Sequence, residues 1–217
     1  MSELLAALQA SRWGRWAGRA LLALTLVGLG WGGWMLWSTR AESHGAVALA
    51  QARLLLTQAQ APNAAPGAEG RAQKALEEVV AEYPRLSSGA QAAYQLGNLR
   101  FAAGQYPQAR AAFQIAKARA RSASLVSLAS LGIGFTFEAE RNYEAAEKSY
   151  SETIKGASPK DFLYEEAMSD MARVQELGGK RAAAVETYQK ILKELPDGRR
   201  TEEMRARVAM LQSPVKP

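Results

Sequence analysis

The chain has 217 residues, 48% of them hydrophobic with alanine prominent, which excludes a disordered polymer and points to closely packed helices. It holds no cysteine and a single histidine, His44, which excludes a disulfide framework, thiol chemistry, a zinc cluster and any histidine-paired triad. Of the formal charge of +6, half falls within residues 1–40 (Arg12, Arg15, Arg19 and Arg40 against Glu3), and no basic stripe marks the remainder, so nucleic acid is not an expected partner.

In chain order, residues 1–19 form an arginine-bearing amino-terminal segment, and residues 20–39 follow without a single charge. At about 1.5 Å per helical residue, such a run matches the ~30 Å hydrocarbon core of a bilayer. Trp13 and Trp16 precede the run and Trp31, Trp34 and Trp37 mark its far end, as the two headgroup interfaces favour. The expectation is one transmembrane helix over 20–39. The arginines before it place residues 1–19 in the cytoplasm, and the rest of the chain outside a bacterial inner membrane, in the periplasm. The lack of cysteine fits that compartment. Ala46 and Ala48 offer an A-x-A cleavage pattern, but the run is long for a signal peptide and Arg40 intervenes, so a retained anchor is the reading. Gly28 and Gly32 form a small-xxx-small pair through which two such spans would pack.

Beyond the anchor the sequence repeats. Three stretches align, starting at Leu96, Ile133 and Met171. Each opens on a large residue followed by a small one: Leu96-Gly97, Ile133-Gly134 and Met171-Ala172. An alanine comes thirteen positions later (Ala109, Ala146, Ala184) and an aromatic ring four beyond that (Phe113, Tyr150, Tyr188). Glycine recurs near the intervening turn as Gly104 and Gly179, with Arg141 standing in its place in the middle copy. A degenerate first copy uses Ala72, Leu76 and Pro84, with a helix at about 45–60 and a proline-rich loop at 61–67.

These residues resemble the tetratricopeptide repeat. The key alanines recur at 37, 37 and 38 residues, against about 34 in that family. The fold expected is all-α: after the transmembrane helix, a solenoid over residues 45–212. Its helix pairs fall at 45–84, 88–120, 124–157 and 161–195, with a carboxyl-terminal cap at 199–212. Arg199, Arg200, Arg205 and Arg207 in that cap alternate with Glu202 and Glu203, the pattern of a solvated helix.

The resemblance implies a concave groove lined by the first helix of each pair. Its positions carry over to Gln91, Tyr94, Asn98 and Phe101 in the second copy. In the third they fall on Leu128, Leu131, Phe135 and Glu138, and in the fourth on Glu166, Ser169, Arg173 and Glu176. Aromatic residues in polar surroundings suit a protein-binding surface; the alternative is that Tyr94, Phe101 and Phe135 pack between helices. A clamp for a peptide carboxylate is not expected, because Glu166 and Asp170 stand where such a clamp needs cations.

No enzyme is expected. Gly178-Gly179-Lys180 lacks the rest of a phosphate loop, Gly132-Ile133-Gly134 lies in helical repeat sequence, and no nucleophile–base or metal constellation occurs. No catalytic residue, metal or cofactor is therefore assigned. A single span with a GW-x-x-W-like end (residues 33–37), followed directly by a small repeat domain, resembles the YfgM-type family. That resemblance implies a periplasmic adaptor ancillary to the Sec translocon and its chaperones. Adaptors of cytochrome c maturation, pilus assembly or cell division share the layout. A scaffold that self-associates into homo-oligomers through the span and the repeats is the structural alternative.

Overall fold

In the computed structural model, which describes residues 12–161, 163–198 and 200–213, every regular element is a helix. Nine occur among the described residues: α1 (Arg12–Ala59), α2 (Ala68–Glu82), α3 (Ser87–Ala102), α4 (Tyr106–Arg119) and α5 (Ala123–Ala139) come first. Then follow α6 (Tyr143–Lys155), α7 (Tyr164–Leu177), α8 (Arg181–Glu194) and α9 (Thr201–Gln212).

The repeat shows in how the helices turn. α3, α5 and α7 all end on a left-handed residue: Gly104 (φ 73°), Arg141 (φ 58°) and Gly179 (φ 76°). The next residue's N–H then reaches back five positions. Gln105 donates to the Arg100 carbonyl at 2.9 Å, Asn142 to Phe137 at 2.8 Å and Lys180 to Gln175 at 2.8 Å. This closure satisfies carbonyls that a helix end leaves open and reverses the chain into the partner helix.

Small residues then let the helices approach. Ala72, Ala109, Ala146 and Ala184 are fully buried, at the same place in successive copies. Phe113 wedges between two glycines: a Cβ at Gly97 on α3 would lie 2.6 Å from its ring, and one at Gly132 on α5 2.8 Å. Tyr150 presses on Gly134 in the same way. From α2 to α9 each helix packs on its neighbours in sequence, and α3 also meets α5, as a solenoid requires. The core runs from Leu49, Ala52, Leu76 and Leu96 at one end to Met168, Tyr188, Ile191 and Met204 at the other.

Two compact units divide the chain, one up to His44 and one from Gly45 onward. The sequence predicts a span ending at 39 and a separate helix starting near 45; the structure has one helix, Arg12–Ala59, across both. No proline interrupts residues 40–45, and the Ser43 hydroxyl donates to the Arg40 carbonyl at 2.7 Å, in step with the helix. Gly45 marks a close approach instead of a break, because a Cβ there would collide with the Ser88 hydroxyl on α3. Among the described residues no helix is long and apolar enough to cross a membrane. Residues 1–11 of the expected cytoplasmic segment lie outside the described residues, as do the side chains at 20–23, 32–34 and 36–38 of the expected span. Leu24, Leu26, Val27, Leu29, Trp31 and Met35, also within 20–39, are exposed.

Candidate functional site: the cleft between α3 and α5

On α3, Gln91, Tyr94, Asn98 and Phe101 follow at spacings of three, four and three residues, which puts them on one helix face. Leu128, Leu131 and Phe135 hold the same register on α5. The Phe113 wedge sets the distance between these faces, and the space left over is a narrow pocket of about 150 Å³. Tyr94, Asn98 and Phe101 line one wall, and Leu128, Leu131 and Phe135 the other. Phe113 and Gly132 lie at its base, and Leu163 and Glu166 close the end toward α7.

The aromatic rings here pack and face the cleft at once. Tyr94 lies 5.8 Å from Phe113, and Phe135 meets Tyr150 edge-on at 5.8 Å. Phe101 stacks at a tilt on Tyr106, 5.5 Å away. All three are half-buried, each with one side fixed by the core. A ring held in this way has little rotamer freedom to lose when something settles on it.

A second, wider pocket of about 500 Å³ adjoins the first, with Tyr94 and Leu128 lining both. Its other walls are polar: Arg53 from α1, Gln91 and Gln95 from α3, and Arg121, Ser122 and Ser124 at the start of α5. The Arg53 guanidinium donates to the Gln91 side-chain oxygen at 2.8 Å, and Arg121 donates to the Arg85 carbonyl at 2.8 Å. The family register points only to first-helix positions in well-formed copies, so it finds Gln91 but passes over Arg53 and Arg121. Arg53 belongs to the degenerate copy and Arg121 to a connection. The signal that could have found Arg121 is its place directly before the α5 cap Ser122, whose hydroxyl accepts from the Leu125 N–H.

The structure does not bring the remaining predicted groove residues to this cleft. Glu138 and Arg173 pair with each other across α5 and α7, and Arg173 also donates to Asp170 at 2.7 Å. The Tyr150 hydroxyl donates to Glu138 at 3.0 Å, and burial pushes its pKa above the usual phenol range. Burial likewise raises the Asp170 carboxyl to about 7, with the Glu166 charge adding to the shift and Arg200 opposing it. Glu176 turns toward the cap and pairs with Arg207 on α9 at 3.3 Å. Ser169 is buried, its hydroxyl donating to the Glu165 carbonyl at 2.7 Å. These charges knit α5, α7 and α9 together, which is why they leave the cleft. No group of three or more metal-binding side chains gathers among the described residues.

Among curated proteins none matches the chain. Solved structures similar to it include the second TPR domain of the human RPAP3 protein, determined with an HSP70 peptide, at 18% identity and TM-score 0.47, over 58% of this chain and 96% of that one. The MamA protein is similar at 21% identity and TM-score 0.49, over 70% of this chain and 72% of its own. A TPR-like protein from Chlorobium tepidum is similar at 19% identity and TM-score 0.45, over 58% of this chain and 95% of its own. The family model of the tetratricopeptide repeat-like domain matches residues 11–212, nearly the whole length. With its recurrent turns, alanine seams and aromatic wedges, the chain belongs to the tetratricopeptide repeat-like domain family.

Proposed function

We propose that this chain is a membrane-tethered adaptor that holds a segment of another protein in the α3–α5 cleft. The observation that carries the reading is the cleft itself. Seven residues from two different repeats, Gln91, Tyr94, Asn98, Phe101, Leu128, Leu131 and Phe135, line its two joined pockets, and three of them are aromatic rings fixed from behind. Proteins of this family commonly work as interaction scaffolds without chemistry of their own, and nothing in the cleft calls for a reaction.

The tether is read from the sequence: twenty uncharged residues at 20–39, tryptophans at both ends, and Arg12, Arg15 and Arg19 just before. In this reading the amino terminus is cytoplasmic and the repeats occupy the periplasm of a bacterial inner membrane. The YfgM-like layout then suggests work beside the Sec translocon and its chaperones. Photo-crosslinking in cells from positions 94, 101 and 135 of the full-length chain tests both parts. Adducts with translocon subunits or with many exported chains are the expected result. A single dedicated partner would instead favour another envelope assembly pathway, and adducts only between copies would favour a homo-oligomeric scaffold.

A further inference from the structure

The cleft is charged oppositely at its two ends. The wide pocket has Arg53 and Arg121 in its walls and no carboxylate among its lining residues. The narrow pocket has Glu166 at its far end and no lysine or arginine among its lining residues. Between them the walls are apolar, with Tyr94 and Leu128 common to both. Behind Glu166 stands Asp170, whose second carboxylate oxygen is buried without a hydrogen-bond partner among the described residues.

We propose, resting on the adaptor reading, that the cleft selects an extended protein segment with one large apolar side chain set between an acidic and a basic residue. The apolar group enters the narrow pocket, whose volume suits one phenyl- or leucine-sized side chain. The acidic residue lies at Arg53, and the basic residue at Glu166. The exposed Asn98 amide, which both donates and accepts, can pair with the backbone of a segment passing over it. Charges at the two ends fix the register of the segment and reject those with the opposite pattern, which is where electrostatic complementarity acts most strongly.

The test uses the purified full-length chain and three short synthetic peptides, read by fluorescence anisotropy. Each peptide has one central phenylalanine. The first has aspartates before it and lysines after it, the second has these reversed, and the third has serines on both sides. One of the two charged orders is expected to bind about tenfold more tightly than the serine peptide. Arg53→Glu, or Glu166→Lys alone, should erase that gain; both residues are exposed, so the helical signal should persist. Phe135→Ala should weaken all three peptides. If all three bind equally while remaining sensitive to Phe135→Ala, the charge proposal falls and the adaptor reading stands. If none binds, the charge proposal falls, and crosslinks from positions 94, 101 and 135 decide whether the adaptor reading falls with it.

Discussion

At the residue scale, Arg141 holds the left-handed turn that Gly104 and Gly179 hold in the flanking copies. A Cβ in that region costs about 1 kcal/mol, so Arg141→Gly is expected to raise unfolding stability by about that amount in urea titrations. Gly134 is the reverse case. A Cβ there would run into the Tyr150 ring, so Gly134→Ala should cost about 1–3 kcal/mol, although the equivalent place in the last copy is filled by Ala172 against Tyr188. Asp170 makes stability depend on pH. Its folded pKa of about 7 lies above the usual 3.8, so the folded state holds the proton more tightly. The stability this group contributes is full below about pH 4 and lost as pH rises through 7. Asp170→Asn should therefore raise the melting temperature at pH 8, with the gain fading toward pH 4. An unchanged pH profile would mean that Arg173 and Arg200 keep the carboxylate charged.

At the element scale, α9 closes the apolar end of the stack. Met204 is buried in a cluster with Tyr188 and Ile191, and Arg181 on α8 donates to the carbonyls of Leu211 and Ser213 at the end of α9. Thr201 ties the start of α9 to the Gly198 carbonyl at 2.9 Å. A solenoid end without such a cover exposes a core face. Met204→Ala is expected to cost about 3 kcal/mol and to lower the denaturation midpoint without changing helix content at low denaturant. The caps of α5 and α6 matter less individually: Ser122 and Asn142 each accept one backbone N–H, worth about 1 kcal/mol.

For the whole molecule, the two pockets of the cleft join parts of five helices, α1, α3, α4, α5 and α7. Tyr94→Ala with Phe135→Ala removes two rings from it. The double variant should lose partner capture in cells while far-UV circular dichroism stays helical. Because each ring also rests on a core ring, a fall in melting temperature accompanies the loss. Collapse of the helical signal would instead make both rings structural only.

The repeat was legible in the sequence because its residue types have one physical use each. Gly97 and Gly134 are needed where a ring must approach a helix backbone, Ala109, Ala146 and Ala184 where two helices touch, and Phe113, Tyr150 and Tyr188 where a gap between pairs must be filled. Such steric needs are local and recur, so register and helix class could be read without coordinates, while Tyr94, Phe101 and Phe135 were open to two readings, cleft wall or helix packing. Charged residues carry no such constraint. Long side chains pair with whatever cation or carboxylate the packing brings near, and only the tertiary structure decided that Glu138, Arg173 and Glu176 bind one another's helices while Arg53 and Arg121 line the cleft. The use of Gly45 was decided there too, since the fold makes it the close contact between α1 and Ser88 on α3.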